Sequence, residues 1–138
     1  MNMVILVALD ESSFAKAALE KALELASPGK AEVVALSVIP HLGVVEGVQD
    51  KLIARFEREA KSLMDEAKAV AARHGVSLKT RVESGISPAD TILDVAKEVR
   101  ADLIVVGHRG KSNLEKFLIG SVASALVTYS PCSVLVVK

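Results

Sequence analysis

Apolar residues along the chain fall into two alternating patterns. Four short runs are almost continuously aliphatic, MVILVAL (3–9), EVVALSV (32–38), DLIVVG (102–107) and SVLVVK (133–138), and a fifth, SLKTRV (77–82), sets Leu78 and Val82 among polar residues. Their length and β-branched content predict strands. The segments between them carry apolar residues at helical spacing. Over 13–26, Ala15, Ala18, Leu19, Ala22 and Ala26 share a face behind a cap at Ser12 or Ser13, and Ser27-Pro28-Gly29 is expected to stop that helix. Over 48–74, Leu52, Phe56, Ala60, Leu63, Ala67 and Val70 align, with Gly75 placed as a left-handed stop. A third helix opens at Ser87-Pro88, a cap followed by the proline a first turn allows, and turns Ala89, Ile92, Leu93, Ala96 and Val99 inward. A fourth, over 119–130, ends at Ser130-Pro131.

This β-α-β-α-β-α-β-α-β alternation predicts an α/β fold: one open, doubly wound, parallel five-stranded sheet with right-handed crossovers and helices on both faces. The composition, 51% hydrophobic but only 3% aromatic, matches a core of Val, Leu, Ile and Ala. A chain of 138 residues suits one domain, 1–138.

Charge narrows the partners. With 17 basic and 17 acidic residues there is no net field to attract nucleic acid or an anionic membrane, and the scarce aromatics offer no stacking platform. No apolar run approaches the roughly 20 residues that span a bilayer, so membrane insertion is not expected. The opening MVILVAL is too short for a signal peptide and has no basic residues before it, and the single Cys132 cannot form an internal disulfide. A cytoplasmic protein is expected.

Open parallel sheets bind ligands beyond the carboxyl ends of their strands, where the winding reverses. Asp10 stands at the mouth of the first strand, and the fourth ends in Gly107. The stretch GHRGKSNLEKFLIGSV then sets Gly107, Gly110 and Gly120-Ser121 between a buried strand and a helix. Glycines let backbone N–H groups face an anion without an intervening Cβ, and a helix N-terminus favours phosphate. Together these residues predict a triphosphate cradle. The GKS within it is not a Walker loop, because Val105 stands where that motif needs its first glycine, although Lys111 is placed to approach a phosphate. His108 reads as a solvent-facing spacer, His41 as a loop residue and His74 as a helix-end residue. Neither a catalytic triad nor metal-ligand spacing is found, so no catalytic or metal residues are expected. Cys132 reads as a small buried residue.

GHRGKSNLEKFLIGSV resembles the G-2x-G-9x-G-[ST] signature of the ATP-binding branch of the universal stress protein family. The opening ILVALDESSFAKAAL, the segment LSVIP and the closing ADLIVVG and PCSVLVVK extend the resemblance over nearly the whole chain. It implies an adenine nucleotide hydrolase-like fold and an adenine pocket at Ala8, Asp10 and Val38. Gly107, Arg109, Gly110, Gly120, Ser121 and Val122 would serve the ribose and phosphates. Glu11, where many relatives are uncharged, adds negative charge near a polyanion and leaves room for Mg²⁺ beside ATP.

The leading expectation is an ATP-binding regulatory module of the stress response, not an enzyme, whose occupied and empty states present different surfaces to a regulatory protein partner. The alternative is an ATP-hydrolysing enzyme of the same fold, although LDESS lacks the glycines its first loop would need. A phospho-acceptor receiver domain, suggested by Asp10-Glu11, is a third reading, against which VESG follows the third strand where an aspartate belongs. In the strand order inferred for this winding, 3-2-1-4-5, the last strand is an apolar edge, and a homodimer paired around Val134 and Val136 is expected.

Overall fold

Three consecutive residues of the first strand, Ile5, Leu6 and Val7, are fully buried. Successive strand side chains point to opposite faces, so a run of this kind persists only where both faces are covered. The computed structural model, which describes residues 2–41, 48–109 and 119–138, shows how that is achieved. The elements run β1 (Met3–Ala8), α1 (Ser13–Lys30), β2 (Ala31–Pro40), α2 (Val48–Arg73), β3 (Leu78–Gly85), α3 (Pro88–Glu98), β4 (Leu103–Gly107), α4 (Ser121–Tyr129) and β5 (Ser133–Val137). The five strands form one parallel sheet in the order β3-β2-β1-β4-β5.

Helices α1 and α2 cover one face, where Ile5, Val7, Val33, Ala35 and Val105 meet Ala18, Ala22, Leu23, Met64, Ala67 and Ala71. Helices α3 and α4 cover the other, where Leu6, Val34, Leu36, Ile104 and Val106 meet Ile92, Leu93, Ala96, Ala123 and Leu126. All five residues assigned to the α1 face are buried. On α2, Ala60 and Ala67 are buried as expected, and Met64 and Ala71 join them.

The caps follow the sequence closely. Ser12 is the N-cap of α1, accepting from the Ala15 N–H at 3.1 Å, and Ser87 caps α3 with Pro88 in its first turn. Gly75 takes φ 71°, the left-handed stop after α2. Boundaries move in several places. Ser27-Pro28-Gly29 does not end α1 at residue 26: the helix continues to Lys30, and the left-handed reversal falls at Gly29, with φ 84°. The strands β2 and β3 run to Pro40 and Gly85, because their ladder is continuous from Val33 opposite Leu78 to Pro40 opposite Gly85. Helix α4 starts at Ser121 with Gly120 as N-cap and stops at Tyr129. Cys132 is half-buried, not enclosed.

The order of the strands disposes of the receiver reading. A receiver of the 2-1-3-4-5 type has its third strand beside its first, whereas β3 is an edge strand here. No helix among the described residues is long and apolar enough to cross a membrane.

Gly107 closes β4 against α1. A Cβ there would lie 2.8 Å from both the carbonyl carbon and the Cβ of Phe14. Gly107→Ala should therefore push the first turn of α1 away and cost about 1–3 kcal/mol of stability. A lowered urea midpoint with unchanged slope is the expected result, and an unchanged midpoint would show that α1 yields freely.

Candidate functional site

The carboxyl ends of β1, β2 and β4 open into a cavity of about 620 Å³, within the range of small-molecule sites. Its floor is where the winding reverses: β1 leads leftward to β2 and its other neighbour is β4. Ala8 and Val38 pack on the face covered by α3 and α4, as does Val106. Asp10 follows β1, and its Oδ1 accepts from the Ser12 N–H at 2.8 Å, so the carboxylate shapes the turn into α1 while lining the cavity. Arg109, only 8% exposed, brings a guanidinium into the same wall.

The far wall is the start of α4. Gly120 is extended, with φ −64° and ψ 158°, and makes no side-chain cap. Ser121, Val122 and Ala123 of the first turn line the cavity with it. Helix N-terminal N–H groups have no partner within their own helix and carry the positive end of its dipole. The Ser124 N–H donates back to the Gly120 carbonyl, which closes the first turn.

Ala8, Asp10, Val38, Gly107, Arg109, Gly120, Ser121 and Val122 thus all line one cavity. Gly110 and Lys111 lie outside the described residues. Gly107 has a local reason besides the one its spacing suggested, since its missing Cβ makes room for Phe14. His108 is half-buried instead of a solvent-facing spacer: its N–H donates to Val137, its carbonyl accepts from Gly120, and its ring packs near Phe14.

Sequence reasoning missed the wall supplied by α2, where Phe56, Glu59, Ala60 and Leu63 face the cavity, and the contributions of Ser37, Ile39, Pro88 and Ile92. Ser37 carried a signal, a lone hydroxyl within an aliphatic strand, and it is buried. Glu11 and Glu59 join Asp10 among the lining carboxylates. Among the described residues no group of three or more His, Cys, Asp or Glu could hold a metal ion. The arrangement offers apolar walls, one buried cation and a helix N-terminus, which suits a ligand with an apolar ring system at one end and an anion at the other.

Comparison with known proteins gives this geometry its relatives. The universal stress protein family model matches residues 1–138. Over 138 aligned residues the chain is 34% identical to a universal stress protein of Methanocaldococcus jannaschii, covering 97% of this chain and 81% of that protein. Its fold is similar to that of the universal stress protein UspA from Lactobacillus plantarum, with a TM-score of 0.86 and 32% identity over 99% of this chain and 97% of the other. It is also similar to the universal stress protein from Archaeoglobus fulgidus in complex with dAMP, with a TM-score of 0.77 and 26% identity over 99% and 98% of the two chains. With the family matched from end to end of the sequence and the same fold in its solved relatives, the chain belongs to the universal stress protein family.

Proposed function

We propose that the cavity binds an adenine nucleotide, ATP in the leading reading, and that the protein is a cytoplasmic regulatory module whose output is the bound state. The observation that carries this is the convergence of Ala8, Asp10, Val38, Gly107, Arg109, Gly120, Ser121 and Val122 on one cavity. The base would lie against Ala8 and Val38. The phosphates would take the N–H groups of Ser121 and Val122 beside Gly120, with Arg109 supplying the opposite charge. The dAMP complex of the Archaeoglobus fulgidus relative supports an adenine nucleotide as the ligand class. Asp10, Glu11 and Glu59 add negative charge near a triphosphate, which Mg²⁺ carried by the phosphates would offset; the three do not themselves form a metal site.

Binding without efficient turnover is the favoured output, because no histidine is among the described residues that line the cavity and the Asp10 carboxylate is engaged by the Ser12 N–H. The alternative enzyme reading predicts ADP or AMP accumulating when ATP and Mg²⁺ are incubated with the protein, as followed by nucleotide chromatography. Retention of intact ATP is the expected result.

The β5 edge supports a homodimer, with a separate regulatory protein reading its occupied and empty states. Val134 and Val136 pack on the face of α3 and α4. All of Val134 to Val137 stay partly exposed at an edge with no further strand among the described residues. Val127 and Tyr129 of α4 add exposed apolar surface nearby, at 55% and 72%. The opposite edge is different in kind. On β3, Arg81 binds Glu83 at 2.7 Å and Glu98 at 2.9 Å, and Lys79 pairs with Glu32. The hydrogen bond to Glu83, then that to Glu98, raises the pKa of Arg81 further. A charged edge resists strand addition and an apolar one invites it.

Gly120→Val should abolish nucleotide binding by calorimetry while leaving the unfolding midpoint near wild type, since Gly120 is an extended cap outside the core. Unchanged affinity in a folded Gly120→Val protein would remove the cradle. Ser121→Ala should weaken binding about tenfold, the loss of one charge-assisted hydrogen bond with the backbone donors kept. Sedimentation equilibrium at micromolar concentration should report about twice the 14.6 kDa chain mass, and Val136→Glu should lower it. A wild-type monomer across that range would refute the dimer.

A further inference from the structure

The last backbone rung between β4 and β5 lies just past β4. Gly107 pairs with Val137 in the parallel register, and the His108 N–H donates to the Val137 carbonyl at 2.7 Å. The carbonyl of the same His108 accepts from the Gly120 N–H at 2.8 Å. Gly120 is the N-cap of α4. One residue therefore ties the end of the edge strand to the start of the helix that closes the cavity.

The tie has little slack. The ring of His108 lies 6.2 Å from that of Phe14, centroid to centroid and tilted by 50°. Immediately before it, Gly107 is so close to the Phe14 backbone that even a Cβ would not fit. Movement toward α1 is blocked. A shift of β5 must then act on His108 and, through its carbonyl, on Gly120, because two short backbone bonds transmit displacement that long side chains would absorb.

We propose that His108 is a positioning residue whose backbone couples pairing of the β5 edge with a second copy to nucleotide binding at the N-terminus of α4. The inference rests on the nucleotide and dimer readings above. A ligand on the first turn of α4 orders Gly120, His108 and Val137. A second copy seated on β5 orders the same residues from the other end. Each event then meets a segment already ordered by the other, so the coupling is positive, and linkage requires it to be reciprocal.

The test measures both sides of that linkage on the full chain, with AMP and with ATP plus Mg²⁺ as probes. Sedimentation equilibrium with saturating nucleotide should show dimerisation strengthened about tenfold. Calorimetry above and below the dimerisation midpoint should show nucleotide bound more tightly by the same factor. His108→Pro removes the donor to Val137 but keeps the acceptor for Gly120, and should bring the factor toward one. His108→Ala keeps both backbone bonds and loses the ring contact, and should retain it. In the wild type, nucleotide should slow amide exchange at His108 severalfold, a readout that survives if the proline variant fails to fold. Nucleotide binding and dimerisation that occur with independent constants would overturn the coupling while leaving both parent readings intact. So would unchanged His108 exchange at saturating nucleotide. Failure of either probe to bind at all would instead overturn the nucleotide reading, and the coupling with it.

Discussion

Covering both faces of a parallel sheet is the constraint on which the rest of this structure depends. Ile5, Leu6 and Val7 are buried without alternation, so β1 cannot carry a polar group along its length. The same holds for Val33 to Leu36 and for Ile104 to Val106. Unsatisfied polar groups in such an interior cost several times what a typical hydrogen bond returns. Chemistry is pushed to the strand ends. Asp10, Arg109 and the α4 N-cap all lie just beyond the carboxyl ends, where the chain leaves the sheet and backbone groups become available.

The close approach of α1 to β4 then sets the shape of that opening. Phe14 backbone atoms occupy the space a Cβ on Gly107 would need, and the turn that delivers α1 to this position is held by Asp10 through the Ser12 N–H and by the Ser12 cap on Ala15. Asp10 is thus both a wall of the cavity and the residue that orients the helix beside it. A turn residue and a ligand-facing residue need not be alternatives when the turn itself forms the rim. Helix α2 completes the other side with Phe56, Ala60 and Leu63, partly released from the core at its N-terminal half.

The two edges of the sheet are treated by different physical means. β3 carries ion pairs along its exposed side, linking it to β2 through Lys79 and Glu32 and to α3 through Arg81 and Glu98. Isolated surface pairs of this kind contribute little stability. They leave this edge charged where the opposite one is apolar. β5 has four apolar residues in succession and no such charges, and it is bonded through Val137 to His108, whose neighbours Gly107 and Arg109 line the cavity. The apolar edge is therefore also the one in backbone contact with the site.

The order and type of every element were legible in the sequence, because an uninterrupted aliphatic run and a 3.6-residue period are local properties that survive only one covering arrangement. Ser87-Pro88, Ser12 and Gly75 were legible for the same reason: a cap or a left-handed turn is a statement about adjacent residues. Much of the cavity could be read too, once the strand ends were known. What the sequence left undecided were contacts between segments distant in the chain. Helix α1 continued through Ser27 and Pro28 to Lys30, with the reversal at Gly29. The α2 wall depended on where a long helix sits relative to the strand ends, which no local pattern encodes. Gly107 reads as a phosphate glycine and is required beside Phe14 as well, and His108 looked like a spacer and joins β5 to α4. Each of these is settled by a distance between elements, and only folding the chain brings those elements within reach of one another.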